Sequence, residues 1–317
     1  MRTRFLVSVA VAAVVFSACG GDTAETLRVF TSVTQDTVDA VVAGYEQSHP
    51  GVTVEVFRAP TGELTARIAA EQREGGLTAD VLWLTDPLSM GQYAADGLLL
   101  AWDPEGSAAV PGAFRTDTAW GTRVLTMVAI HGLDVPAPTS WADLAGPDYA
   151  GGVAIPDPGF AGSALGALGW FALADGYGFD YYRDLAANGA VQVPSPGDVV
   201  AGVAEGRFRA GMTLESSAAS AIEKGSPIAI VRPAPGAIGI YSPIAVVAGG
   251  DGESAARDFV EHVLSVEGQE AIASTGWRPV REEVAWDRSG GLVFPDWDQV
   301  VDRRDELLDT YLVIFGG

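Results

Sequence analysis

Three strand–loop–helix units in the first third of the chain constrain the fold more than any other feature. The buried strand Leu27–Phe30 precedes a helix with apolar residues at helical spacing, and the alternating strand Val52–Phe57 precedes the helix Glu63–Glu74. A third buried strand follows at Ala79–Leu84. This β-α-β-α-β order predicts an α/β fold with a parallel sheet, whose loops gather at the carboxyl ends of the strands.

A similar unit lies in the middle of the chain. The strand Val153–Ile155 leads through a loop into a small-residue helix that begins near Ser163. The first turn of a helix leaves N–H groups unpaired and carries a positive dipole end, so this point predicts an anion or oxygen-ligand site. The alternative is that Gly162, Gly166 and Gly169 only let the helix pack closely, and the local sequence leaves both interpretations open.

The rest of the second half alternates helix with strand again, which predicts a second α/β unit. Two apolar strands, Arg123–Ile130 and Pro243–Ala248, are predicted to cross between the units as a two-strand hinge. The alternative for Arg123–Ile130 is an ordinary core strand of a single domain. The last predicted element is one amphipathic helix, Phe294–Phe315. A length of 317 residues is compatible with two domains.

The amino terminus has the features of an export signal. Arg2 and Arg4 precede the apolar run Phe5–Ala18, which is too short to span a bilayer. Residues 16–19 resemble a bacterial lipobox, so Cys19, the only cysteine, is predicted to be acylated. The alternative is a free thiol in a discarded or buried segment. We therefore expect an exported, extracytoplasmic protein that contacts the membrane only through its lipid anchor.

Composition and motifs exclude several functions. The net charge is −22, and removal of the predicted signal peptide, with its two arginines and no acid, makes it −24. Such acidity argues against nucleic acid and anionic lipid surfaces as partners. No HExxH, GxSxG or P-loop motif occurs, so neither an enzyme nor a cofactor is predicted. The enzyme alternative is a secreted hydrolase with Asp86 and Glu215 as paired carboxylates.

Longer motifs carry a family resemblance along nearly the whole mature chain. These are HPGVTVEV from His49, ADVLWL from Ala79, PTSWADL from Pro138, VAIPDP from Val153, and SVEGQEAIASTGWRPVR from Ser265. The chain resembles solute-binding proteins of ABC importers, in the branch that includes ferric-ion, aminoethylphosphonate and sugar-phosphate binders. The resemblance implies a monomer with the two-lobed type II periplasmic-binding-protein fold, which binds a small solute between its lobes and delivers it to an ABC permease.

The resemblance also implies a division of the chain into segments. The predicted segments are a signal peptide at 1–18, a lipid-anchored tether at 19–25, a first lobe at 26–120 plus 243–281, and a second lobe with the terminal helix at 121–242 plus 282–317. Binding residues are expected in loops at strand ends. They are Thr31, Ser32, Arg58, Thr61, Gly62, Thr85, Asp86, Gly162, Ser163, Glu215, Tyr241 and Ser242. Thr61 and Ser163 rank highest, because each begins a helix where the family commonly engages its ligand.

Single candidates have structural alternatives. Thr61 is equally a helix cap, Asp86 a turn residue before proline, and Glu215 a surface acid. Tyr241 and Ser242 are placed just before the returning hinge strand, from which they are expected to face the cleft.

The ligand is harder to predict than the family. Ferric-ion binders of this family normally supply adjacent tyrosines in the second lobe, often with a histidine or acid from the first. Here Tyr181 and Tyr182 lie in a helix where the family usually places core aromatics, and the loop near Thr213 reads MTLESSA. Thr34 and Gln35 occupy the first-lobe position of the histidine. No metal site is therefore predicted, although a ferric-iron binder stays the main alternative.

The remaining polar groups favour a phosphate or phosphonate. Hydroxyls, backbone N–H groups and Arg58 suit phosphoryl oxygens, and Glu215 or Asp86 is able to pair with an amine. The negative net charge opposes a simple anion at long range, but salt screens that effect over about 8 Å. The lead prediction is a small organic phosphate or phosphonate. A sensory binding protein that signals to a membrane receptor is the second alternative to transport.

Overall fold

The computed structural model describes residues 25–250 and 252–316, and these form eleven β-strands and eleven α-helices. The strands are β1 (Glu25–Thr31), β2 (Val52–Arg58), β3 (Val81–Trp83), β4 (Trp120–Gly132), β5 (Val153–Pro156), β6 (Val191–Val193), β7 (Ala210–Leu214), β8 (Ile228–Val231), β9 (Ala237–Val246), β10 (Arg278–Pro279) and β11 (Leu292–Val293). The helices are α1 (Gln35–Ser48), α2 (Thr61–Glu74), α3 (Pro87–Ala95), α4 (Gly162–Leu173), α5 (Gly178–Ala187), α6 (Pro196–Ala204), α7 (Glu215–Glu223), α8 (Glu253–Leu264), α9 (Val266–Ser274), α10 (Trp297–Asp302) and α11 (Arg304–Phe315).

The strands join into one mixed sheet in the order β2-β1-β3-β9-β4-β7-β5-β6, with β8 and β10 also paired to β4 and β11 to β9. Parallel pairing occurs at both ends, between β1 and its neighbours β2 and β3 and between β5 and its neighbours β6 and β7. The antiparallel pair β4–β9 joins the two parallel parts. The α/β class predicted from the alternating pattern is thus confirmed.

The first parallel part is covered by helices on both faces, which explains its apolar sequence. On β1, Leu27 and Val29 face the core that includes Val38 and Val41 of α1. Phe30 points to the other face and belongs to the cluster with Leu64 and Ile68 of α2. A parallel sheet buried in this way needs apolar residues on both faces of its strands.

The strands β4 and β9 form the two-strand hinge. The first half of β4 pairs with β9 and β10, and its second half pairs with β7 and β8, so it runs from one parallel part into the other. The returning strand β9 begins at Ala237, six residues before the predicted start at Pro243. Tyr241 and Ser242 therefore lie inside a strand, opposite Val124 and Arg123, and not in a loop before it.

The predicted terminal helix is two helices, which separate at Arg303. The break lets them follow different neighbours, because α10 packs on α3 and α4 while α11 packs on α4 and α5. A Cβ atom on Gly169 of α4 would overlap Val300 of α10, and one on Gly166 would lie 2.6 Å from Ile240 of β9. Close packing is therefore the role of these two glycines.

Among the described residues, no helix combines the length and the apolar character that crossing a bilayer requires. The predicted signal peptide, Cys19 and nearly all of the tether lie outside the described residues.

Candidate functional site

A cleft of about 470 Å³ opens between the carboxyl ends of the first parallel strands and the start of α4. Six of the twelve predicted binding residues line it: Ser32, Arg58, Thr61, Thr85, Gly162 and Ser163. Its position at strand ends, between the two parallel parts of the sheet, is where the fold predicts a ligand. A depression of about 870 Å³ near β1 and β2 is larger, but residues of the first parallel part line it together with Gly249, Gly250 and Gly252.

Three hydroxyl groups on the first side of the cleft form a connected row. The Oγ of Ser32 lies 3.1 Å from Oγ1 of Thr85, and Oγ1 of Thr61 lies 3.2 Å from the same atom. The backbone N–H of Thr85 donates to Ser32 at 3.1 Å. Ser32 follows β1 and Thr85 follows β3, while Thr61 is the first residue of α2 and not the residue that caps it. The parallel pairing of β1 with β3 brings these side chains together.

The start of α4 lies directly opposite this row. A Cβ atom on Gly162 would lie 2.6 Å from Thr85 Oγ1 and 2.8 Å from Thr61 Oγ1, so no residue but glycine fits there without movement. Ala161, at the helix N-cap, supplies no side-chain hydrogen bond, and Ser163 follows as a buried hydroxyl. The start of α4 therefore faces the hydroxyls of Thr61 and Thr85, with the carboxylate of Asp86 beside them. The hydroxyls together with the first-turn N–H groups and the helix dipole suit an oxyanion.

A second contact between the two sides lies beside it. The backbone N–H of Gly62 donates to the carbonyl of Phe160 at 3.4 Å, and a Cβ atom on Gly62 would lie 2.5 Å from the carbonyl oxygen of Gly159. Gly62 thus allows the start of α2 to meet the loop before α4, and it is absent from the residues that line the cleft.

Two arginines contribute positive charge to the cleft. The Nε of Arg58 donates to the carbonyl of Val33 at 2.8 Å, which fixes an otherwise exposed side chain at the rim. Arg123 is fully buried on β4 and also lines the cleft. The sequence predicts Arg123 at the start of an apolar hinge strand, and Arg123 is not among the predicted binding residues. The signal in the sequence was an arginine within a strand of mainly apolar residues.

Arg123 has few partners for a buried charge. Its Nη1 donates to Oγ1 of Thr34 at 3.4 Å and to Oγ1 of Thr37 at 3.3 Å, and its Cζ lies 4.2 Å from the ring centre of Trp277. Nε and Nη2 have no hydrogen-bond partner among the described residues. Burial lowers the pKa of Arg123 to about 9; the negative charge of Asp36 opposes this shift, and the positive charge of Arg58 adds to it. The group is still charged at neutral pH.

The structure does not bring the other predicted residues to the cleft lining. The hydroxyl of Thr31 donates to the carbonyl of Trp83 at 2.6 Å, and that of Ser242 donates to the carbonyl of Leu84. Tyr241 stacks on Phe114 with 5.2 Å between ring centres. These three side chains complete strand pairing and the core, because each lies within a buried strand.

The two carboxylates considered as a catalytic pair occupy different surroundings. Asp86 is fully buried and accepts a hydrogen bond from the backbone N–H of Ser89 at 2.7 Å, which caps α3. Glu215 forms an ion pair with Arg232 at 2.7 Å in a neighbouring cavity of about 280 Å³. Trp277 lines both that cavity and the cleft. The positions of Asp86 and Glu215 are therefore not those of a general acid and base acting on one substrate.

The adjacent tyrosines belong to the core, as the sequence predicted. Tyr181 stacks on Phe171 with 4.5 Å between ring centres, and Tyr182 meets Tyr311 edge to face at 5.1 Å. Burial raises the pKa of both phenols well above the usual value, which disfavours the phenolate form. Within residues 25–250 and 252–316, no group of three or more His, Cys, Asp and Glu side chains is placed to hold a metal ion.

Comparison with known proteins agrees with this geometry. Residues 27–278 match the family model of the bacterial extracellular solute-binding proteins. The chain therefore belongs to that family.

Individual relatives differ in the ligand that their names state. A periplasmic protein of Salmonella paratyphi A (strain ATCC 9150 / SARB42), provisionally named as 2-aminoethylphosphonate-binding, is 28% identical over 245 residues, 74% of this chain and 71% of that protein. The periplasmic binding protein AfuA from Actinobacillus pleuropneumoniae, with exogenous fructose-6-phosphate bound, gives a TM-score of 0.82 at 22% identity, over 92% of this chain and 99% of that chain.

Iron-bound HitA from Pseudomonas aeruginosa gives a TM-score of 0.78 at 20% identity, again over 92% of this chain and 99% of the other. The likeness to AfuA and HitA confirms the predicted two-lobed type II periplasmic-binding-protein fold. At these identities it does not distinguish a phosphorylated ligand from iron.

Proposed function

We propose that this protein captures a small organic phosphate or phosphonate between its lobes and delivers it to the permease of an ABC importer. The observation that carries the proposal is the row of hydroxyls of Ser32, Thr61 and Thr85, which faces the uncapped start of α4. Phosphoryl oxygens accept several hydrogen bonds at once, and hydroxyls together with helix N–H groups are the donors that such a group needs.

The geometry also supports the mechanism of capture. Donors from the first lobe and from α4 meet at one point, so a ligand bound there contacts both lobes. A ligand with contacts to both sides stabilises the closed form over the open one. In the last step that we propose, this closed form contacts the permease.

An amino group on the ligand is compatible with the cleft. The carboxylates of Glu63 and Asp198 are both exposed at its lining, and they replace Asp86 and Glu215, which the sequence had favoured as amine partners. An aminophosphonate zwitterion is thus one member of the proposed class, in agreement with the name of the Salmonella relative.

The proposed lobes are residues 26–120 with 243–281, and residues 121–242 with 282–317. We further propose a monomer that is exported by its first 18 residues and lipid-anchored at Cys19. Replacement of Cys19 by alanine should release the protein from the membrane fraction into the soluble fraction, because the anchor is the proposed membrane contact. Continued sedimentation of Cys19→Ala with membranes would count against the anchor.

A thermal-shift screen tests the ligand class. The protein, produced from Gly20 onward so that no lipid is present, is melted with 2-aminoethylphosphonate, hexose phosphates, inorganic phosphate and ferric citrate. A ligand at 100 times its dissociation constant adds about 2.7 kcal/mol to the free energy of unfolding. We expect a shift with a phosphorylated or phosphonylated compound, together with compaction in small-angle scattering. A shift with ferric citrate alone would replace this proposal by the iron alternative.

A further inference from the structure

Arg123 differs from the ion-paired arginines of the described chain. Nine arginines there form ion pairs with Asp or Glu, and the side chain of each is at least 17% exposed. Arg123 is 0% exposed and is not among them. A buried charge without an ion pair is costly, even though Asp36 attracts it from a longer distance, so a guanidinium with this little compensation beside a cleft points to a partner that binds there.

The contacts of Arg123 leave one edge of its guanidinium buried and without a hydrogen-bond partner among the described residues. The indole of Trp277 covers a face of the group, and Nη1 is occupied by the hydroxyls of Thr34 and Thr37. The atoms without a partner among the described residues are Nε and Nη2. These two nitrogens form one side of the planar fork, and that side matches two oxygens of a carboxylate, phosphate or phosphonate.

The cleft also has apolar lining residues. Leu125, Leu214 and Trp277 line the cleft with Phe160 and several prolines, whereas the hydroxyl row lies at the start of α4. Apolar lining residues favour a ligand with an apolar body, because such a body gives up no hydrogen bonds with water when it binds.

We propose that the Nε–Nη2 edge of Arg123 is the anion seat of the cleft, and that the ligand is a phosphonate or phosphate that places two of its oxygens on this edge and carries a largely apolar body. This inference rests on the proposed function, because it names the residue and the ligand class of the same cleft. Burial holds the pKa of Arg123 near 9, so the free protein already carries the charge that the anion neutralises. The hydroxyl row and α4 then contact the remaining oxygens or a second polar group.

Calorimetric titration of three variants tests the inference, with methylphosphonate, 2-aminoethylphosphonate and phenylphosphonate as probes. Arg123→Gln should weaken each phosphonate at least 100-fold, since it removes the charge and the fork. Arg123→Lys should weaken them about 10-fold, because lysine keeps the charge but not the paired geometry. Arg232→Gln is the matched control, because Arg232 is paired with Glu215 in the neighbouring cavity, and it should change affinity less than about 3-fold.

Thermal unfolding of the ligand-free variants separates binding from a structural role. An anion seat predicts that Arg123→Gln melts at the wild-type temperature or above it, because an unpaired buried charge is removed. A purely structural arginine predicts a lower melting temperature. Should Arg123→Gln fail to fold, Arg123→Lys decides the question, and unchanged phosphonate affinity in a folded Arg123→Lys protein would overturn the inference.

The outcomes also distinguish this inference from the proposed function. If wild type binds phosphonates and Arg123→Gln binds them within about 3-fold, the anion seat is wrong while the proposed function stands. If wild type binds none of the three probes or any other phosphonate or phosphate, both fail. Phenylphosphonate should bind at least 10-fold more tightly than methylphosphonate, and equal affinities would refute the apolar body.

Discussion

Gly162, the first residue of α4, lies so close to Asp86 that a Cβ atom on it would come within 2.6 Å of the carboxylate oxygen Oδ2. Asp86 follows β3 in the first parallel part of the sheet and α4 follows β5 in the second, so the two parts meet here with no room for a side chain. Because Gly162 has no Cβ atom, the hydroxyls of Thr61 and Thr85 also approach the start of the helix closely.

The substitution Gly162→Ala should therefore push the start of α4 away from Asp86. We expect ligand affinity to fall at least 10-fold, and the free energy of unfolding to fall by about 1–3 kcal/mol, since an added methyl group in a filled space forces a backbone shift. The matched control is Gly197→Ala in the first turn of α6, where an added Cβ atom would meet nothing nearer than Ser195 Oγ at 3.6 Å. Calorimetry and chemical denaturation measure both effects, and wild-type affinity in Gly162→Ala would contradict this account of the contact.

The buried carboxyl group of Asp86 should make the stability of the protein depend on pH. Burial raises its pKa to about 6, against the hydrogen bonds from Ser89 and the charge of Arg304, which lower it. Because the folded-state pKa exceeds the unfolded one, the contribution of Asp86 to stability is complete below about pH 4 and is lost as the pH rises through about 6. Above that range the protein holds a buried carboxylate whose Oδ2 has no partner among the described residues.

Asp86→Asn should consequently stabilise the protein at pH 8 by about 1–3 kcal/mol and change little at pH 4, because the amide keeps the helix cap without the charge. Asp296→Asn offers the comparison, since Asp296 caps α10 in the same way but is exposed. Urea denaturation of the three proteins at both pH values measures the difference. A loss of stability in Asp86→Asn at pH 8 would show that the ionised carboxylate has a partner that stabilises it.

The two residues ranked highest from sequence give the third prediction. Ser163→Ala and Thr61→Ala should each weaken ligand binding by about 1–3 kcal/mol, because each removes a buried hydroxyl that faces the cleft. Ser274→Ala, an exposed serine that donates to a carbonyl of its own helix α9, should leave binding unchanged. Titration with the solute found by thermal shift measures all three. Wild-type affinity in both Ser163→Ala and Thr61→Ala would move the binding site elsewhere.

The sequence was sufficient for those parts of the fold and cleft that depend on local pattern. Alternating apolar residues and turn residues located β1, β2 and the helices after them, and parallel pairing places the loops after β1 and β3 side by side. Ser32, Thr61 and Thr85 were predicted for this reason. The small residues at the start of α4 identified Gly162 and Ser163 in the same way.

Features that depend on distant pairing were not accessible to that argument. Tyr241 and Ser242 look like loop residues until β9 pairs with β4, whose nearest residues lie more than one hundred positions earlier in the chain. Arg123 becomes a binding candidate only through its contacts with residues that are distant in the chain. Thr34 lies 89 positions before it, and Trp277 comes from a late segment. No local pattern records that such residues meet, so the fully buried arginine became visible only in the folded chain.

Tyr181 gives the last prediction, which separates core tyrosines from ligand tyrosines. Its hydroxyl is buried and has no hydrogen-bond partner among the described residues, while its ring stacks on Phe171. Tyr181→Phe keeps the stacked ring and removes the unpaired hydroxyl, so the free energy of unfolding should rise by about 1 kcal/mol. Tyr45→Phe should lower it by a similar amount, about 1 kcal/mol, because the hydroxyl of Tyr45 donates to the carbonyl of Ala255 at 3.2 Å. Denaturation curves measure both changes, and solute affinity should stay unchanged in Tyr181→Phe. A loss of affinity there, for a phosphonate or for ferric citrate, would instead place this phenol among the groups that hold the ligand.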